Sequence, residues 1–176
     1  MAEETELREV SQAVERYFAQ GWSCCQSVLL ALGDHLKVRD DLLIAAAQGL
    51  GRGQGVVCGV LLAGLLTLGE KASEMKTAEL QHPSRPSHEW LDVFYPSDNQ
   101  WLREKAGQLQ GQFRKRVEGR FPSLHCQDIS GVDWAAPSAA MSRVGFPPPV
   151  CVELAKETAR DVVALLGQGR EPKDAP

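Results

Sequence analysis

The chain has 176 residues, 43% of them hydrophobic, which is enough for one domain to bury a sizeable core without disulfide staples. Its 19 basic and 23 acidic residues give a formal charge of -4 with no basic block that would track a phosphate backbone, so nucleic acid is not an expected partner. The amino terminus, Met1 to Glu6, is acidic rather than basic-then-apolar, and the longest apolar run, Val56 to Leu68, is shorter than the about 20 residues that cross a bilayer. A cytoplasmic protein with no membrane span is expected.

Leu7, Val10, Val14, Tyr17 and Phe18 recur at three- and four-residue steps and predict a helix from about Thr5 to Ala19, ended by Gly21. Ser23-Cys-Cys-Gln26 has the form of a capping box ahead of the apolar run Val28 to Leu32, which predicts a second helix stopping at Gly33. Asp40 and Asp41 can cap a third through Leu42, Leu43 and Ala46, which leads into the glycine-rich turn Gly49 to Gly55. Val56 to Leu68 then reads as a central fourth helix, with Gly55, Gly59 and Ala63 at four-residue spacing for a close helix crossing.

Ala72 to Asp98 shows no sustained period and reads as a long loop excursion. From Asn99 the stripe Leu102, Ala106, Leu109, Phe113 and Val117 restores the helical period as far as the Phe121-Pro122 break. Residues from His125 to Ile129 form at most a short helix closed by Gly131, and Trp134 to Pro149 reads as a loop. Cys151, Leu154, Ala155, Thr158, Val162 and Leu165 mark a last helix with proline in its first turn. No strand-like alternation occurs. The predicted fold is all-α: a single-domain helical bundle of about five to six helices over residues 1–166 with a long loop excursion, then a disordered tail over 167–176.

Five cysteines without an export signal read as thiols, metal ligands or redox groups. Cys24, Cys58, Cys126 and Cys151 contain no short Cys-x-x-Cys pair, but each is predicted at or near a helix start, where free amides and the helix dipole lower a thiol's pKa and favour the thiolate. The expectation is that their sulfurs converge in one pocket. Against it stands the plain reading of any one of them as an inert buried thiol. Cys25, about 100° round the helix from Cys24, is assigned to the core. In the glycine turn, Gly51, Arg52 and Gly53 are candidates for cofactor binding, through turn amides and an arginine that could offset thiolate charge; a surface arginine is the alternative. His125 is a possible ligand or proton carrier, or an exposed loop histidine, while His82 and His88 read as solvated. The motifs of phosphate-binding loops, serine hydrolases and zinc peptidases are absent.

The segments Gly21-Trp-Ser-Cys24-Cys-Gln-Ser-Val-Leu29, Gly49 to Gly69 around Cys58-Gly59, Phe121-Pro-Ser-Leu-His-Cys126-Gln-Asp-Ile-Ser-Gly131, and Cys151 heading the last helix together resemble the redox-active proteins named for the C-GCAxxG-C-C cysteine pattern. The resemblance implies a mostly helical fold and a redox role. A related multihaem cytochrome family of the split-Soret type carries a similar cysteine set that binds a two-iron cluster; this chain lacks Cys-x-x-Cys-His for covalent haem, so only the cluster site carries over. The leading expectation is therefore an iron–sulfur protein, [2Fe-2S] on Cys24, Cys58, Cys126 and Cys151, for electron transfer or redox sensing. A metal-free thiol/disulfide oxidoreductase and a helical binding module with inert cysteines are the alternatives. An electron-transfer partner of unspecified identity is implied, and the apolar central helix and the excursion leave room for a homodimer.

Overall fold

A computed structural model describes residues 2–51, 57–80 and 100–168. Helix α1, Ala2–Ala19, buries Val10, Ala13, Val14 and Phe18 on the stripe that the three- and four-residue spacing predicts. Gly21 then reverses the chain at a φ of 88°. Helix α2, Cys24–Leu36, is capped by Ser23 and buries every residue from Cys25 to Leu32, the mark of a helix surrounded by others. It does not stop at Gly33. A Cβ there would stand 2.6 Å from the Val38 carbonyl oxygen, so this glycine is the spot on which the returning chain lands, and the left-handed cap falls at Lys37 with φ 60°.

Helix α3, Asp41–Ala46, starts where Asp40 accepts the Leu43 amide at 2.9 Å, and a single 3-10 turn, Ala47–Leu50, follows it. Helix α4, Gly59–Leu80, starts later and runs further than the Val56 to Leu68 prediction. Its last turns take up residues 72–80 of the supposed excursion. That stretch is rich in Glu, Lys, Ala and Met, good helix formers that carry no apolar stripe, so periodicity passes over it. The rest of the excursion, and the tail from residue 169, lie outside the described residues.

Helix α5, Gln100–Val117, buries Leu109, Phe113 and Val117 as expected, and α6, Cys126–Ser130, is the short helix closed by Gly131 at φ 68°. The segment Trp134 to Pro149 is not wholly a loop: α7, Pro137–Val144, occupies its middle. Pro137 opens that helix where no amide is needed, and alanines sustain it, a reading that proline counted only as a breaker misses. Helix α8, Pro149–Gly167, completes the chain of elements.

The fold is all-α, and no strand occurs among the described residues. Helix α1 packs on α2 and α8, and α4 packs on α2, α5 and α8, so α4 is central as expected. The helices α5 and α8 cross α4 closely at Gly64, where a Cβ would meet Leu109 Cδ2 at 2.8 Å and the Thr158 and Val162 methyls at 3.2 Å each. Arg116 of α5 clamps α8 by pairing with Glu157 at 3.1 Å and with Asp161 at 2.8 Å, and the Asp161 hydrogen bond raises its pKa. No helix among the described residues is long and apolar enough to cross a membrane.

Candidate functional site

Each of the four cysteines heads a helix. Cys24 is the first residue of α2, directly after the Ser23 cap, and Cys126 is the first residue of α6. Cys151 lies in the first turn of α8, two residues after Pro149, its amide bonded to the Pro148 carbonyl at 2.9 Å. Cys58 caps α4: its carbonyl accepts the Leu62 amide at 3.2 Å, and its side chain accepts from the backbone amides of Val60 and Leu61. The Cys58 amide in turn donates to the Leu124 carbonyl at 2.9 Å, tying the start of α4 to the segment that enters α6.

The four lie near enough to one another to interact electrostatically. The Cys24 sulfur lies 3.2 Å from where a Cβ on Gly59 would stand, one residue beyond Cys58. Cys58 feels the charges of Cys24 and Cys126, and Cys151 feels those of Cys24, Cys58 and Cys126. Cys58 and Cys126 are buried, at 4% and 7% exposure, whereas Cys24 and Cys151 are half-buried. No disulfide joins any of the five cysteines. Cys25 is fully enclosed in the core.

The expectation that helix starts lower these thiols' pKa values is overturned at two of them. Burial, then the Cys24 charge, push Cys58 up to about 12, and the amides of Val60 and Leu61 offset this only in part. Burial pushes Cys151 up as well, followed by the charges of Cys24, Cys58 and Cys126. Cys25 is pushed up to about 12 by burial and then by Cys24. Desolvation of a charge outweighs a partial dipole at a dry helix end.

Of the glycine-turn candidates, Gly51 lies against the cap of α2, where its own Cβ would stand 2.9 Å from both Cβ and Oγ of Ser23. Arg52 and Gly53 lie outside the described residues, as do His82 and His88. His125 is exposed at the cap position of α6, its backbone amide donating to Ser123 Oγ at 3.0 Å. The sequence gives no sign of the amides of Val60 and Leu61 or of the Leu124 carbonyl at the site; Gly59, expected at a close helix crossing, also proves to be the neighbour of the Cys24 sulfur.

A cavity of about 550 Å³ between α2, α3 and α4 is lined by Leu29, Leu36, Leu43 and Thr67 among others, and by no cysteine. The cysteines therefore lie outside that cavity. Among the described residues no three His, Cys, Asp or Glu side chains surround one point as a single metal ion requires. Soft sulfur donors nevertheless make up the whole cluster, with amide donors aimed at one of them.

The fold and the cysteines at its helix starts define the class: an all-α bundle bearing free thiols. The family model described as "Putative redox-active protein (C_GCAxxG_C_C)" matches residues 22–165, and the chain belongs to that family. The match spans all four cysteines and carries the redox description read from the sequence. No curated protein and no solved structure gave a significant match.

Proposed function

We propose that Cys24, Cys58, Cys126 and Cys151 hold an iron–sulfur cluster, [2Fe-2S], and that the protein carries electrons or senses redox state through it. The observation that supports this most is the electrostatics of the thiols. Burial and mutual repulsion hold Cys58 and Cys151 protonated, and the charges acting on them are those of other cysteines. A nucleophilic thiol needs its thiolate near neutral pH, which this setting opposes. A cationic centre removes the thiol protons and offsets both the burial and the repulsion, so the same setting suits ligands.

Sulfur ligands suit zinc as well as iron–sulfur centres. One zinc ion needs its ligands around a single point, whereas a two-iron cluster spreads four cysteines over two metals. Bound there, the cluster supplies one-electron transfer. The chain's own residues enclose it: Val60 and Leu61 direct amides at the Cys58 sulfur, and the core around Cys58 and Cys126 excludes water, two factors that set a cluster's potential.

The half-buried state of Cys24 and Cys151, with no S–S bond formed, favours a second reading as a dithiol that cycles to a disulfide. Anaerobic reconstitution with iron and sulfide, followed by visible absorption and electron paramagnetic resonance of the reduced sample, separates the two. A reducible chromophore lost in serine variants of each of the four cysteines is the expected result. Zinc uptake without iron would overturn it, and a colourless chain whose thiol count falls on mild oxidation would favour the dithiol.

A further inference from the structure

Glycine is needed for two separable reasons, a left-handed backbone or a close approach. Gly21, Gly119, Gly131 and Gly145 have positive φ and serve the first. Gly51 and Gly59 are not among them; Gly51 is extended at φ -99° and Gly59 starts α4. What they lack room for is a side chain. A Cβ on Gly59 would stand 2.7 Å from the Leu50 carbonyl oxygen, 3.2 Å from the Cys24 sulfur and 3.4 Å from Cys25 Cβ. The Leu50 oxygen is backbone and cannot swing aside, so a methyl there must shift the 3-10 turn, the start of α2, or both.

The same turn presses on α2 one residue earlier. Gly51 leaves 2.9 Å between its missing Cβ and Ser23, the cap whose next residue is Cys24. Two bare Cα atoms thus close on the start of α2, Gly51 on the Ser23 cap and Gly59 on the Cys24 sulfur itself. Gly64 offers the contrast on the same helix, because its missing Cβ faces Leu109, Thr158 and Val162 and no cysteine.

We infer that Gly59 and Gly51 are positioning residues that seat the Cys24 sulfur on the first turn of α4 beside Cys58. Without them two sulfurs could not share that helix end, where α4 presents its first-turn amides and the positive end of its dipole. The inference rests on the iron–sulfur reading only for its cluster readout, since seating of the sulfur is a property of the metal-free chain too.

The test uses the full-length chain as wild type, Gly59→Ala, Gly51→Ala and, as a packing control, Gly64→Ala. The first readout is peptide-resolved alkylation of Cys24 by iodoacetamide in the metal-free protein, referenced to Cys151. The several tenths of an ångström required here alter the exposure of the Cys24 sulfur, on which its alkylation depends, so Cys24 labelling should change by at least about 3-fold. Gly59→Ala and Gly51→Ala should both show it, with Gly64→Ala at the wild-type rate despite any loss of stability. Wild-type labelling in both turn variants, or an equal change in Gly64→Ala, would overturn the inference. The second readout is the midpoint potential of the reconstituted chain, expected to shift in Gly59→Ala and stay fixed in Gly64→Ala. A wild type that takes up no cluster while the labelling change persists would defeat the iron–sulfur reading and leave the positioning role standing. Should Gly59→Ala fail to fold, Gly51→Ala, whose contact is with a side chain, decides the question alone.

Discussion

Replacing Ser23 with alanine removes the cap that sets the start of α2 and, with it, the seat of Cys24. Ser23 is buried, its Oγ accepts the Gln26 amide and donates to Gln26 Oε1 at 2.9 Å, and Gln26 Nε2 reaches the Ile44 carbonyl at 3.1 Å. Losing a serine cap costs about 1 kcal/mol. The buried Gln26 oxygen also loses its hydroxyl donor, a further roughly 1 kcal/mol, moderated because the Ser23 amide still points at it from 3.4 Å. The sum, about 2 kcal/mol, should lower the melting temperature by roughly 4–8 °C in a chain of this size. Urea unfolding of the metal-free chain, followed by far-ultraviolet circular dichroism, should show a lower midpoint at unchanged slope. Ser142→Ala, whose exposed hydroxyl donates to the Ser138 carbonyl at 2.9 Å, is the control and should stay within about 0.5 kcal/mol. A Ser23→Ala loss no larger than that of the control would refute the role given to the capping box.

Cys25→Ala should keep any metal uptake and any thiol redox titration of the wild type, because its side chain lies in the core; loss of uptake in this variant, with Cys24→Ala unaffected, would mean that the pair is assigned the wrong way round. Phe113→Ala empties a fully enclosed site between α5 and its neighbours and should cost about 3–5 kcal/mol by urea unfolding. Alkaline pH should destabilise the metal-free chain. Cys25 and Cys58 titrate at about 12 when folded against an ordinary 9.0, so from pH 9.0 upward the unfolded chain sheds protons that the folded chain keeps. Stability is then complete below that ordinary value and falls as pH rises toward the folded one, at about 1.4 kcal/mol per pH unit per thiol. Urea midpoints between about pH 8 and about pH 10 should fall, and fall less in Cys25→Ala; a flat profile would contradict the burial argument.

The helices that carry an apolar stripe were legible in the sequence, and so was the capping box at Ser23, because each is a local pattern. The end of α4 and the whole of α7 were not. Residues 70–80 are helix formers on a polar segment, and the Pro137 helix hides its start behind a residue that usually signals a loop. Gly33 misled for the opposite reason: it looked like a helix stop and is a landing place for Val38. At the site, the helix-start settings of the four cysteines could be read from Ser23, the glycine turn, Gly131 and Pro149. Their ionisation could not, since burial depends on which helices pack over Cys58 and Cys151, and no local pattern reports that. The contact between Gly59 and the Cys24 sulfur joins residues that only the packing of α2 on α4 brings together.

The most direct test of the central claim is one analysis of iron, acid-labile sulfide and zinc on the full chain purified without oxygen. About two iron and about two sulfide per chain are expected, in a coloured protein that becomes paramagnetic on reduction. Stoichiometric zinc without iron, or a chain that holds neither metal before and after reconstitution, would contradict it.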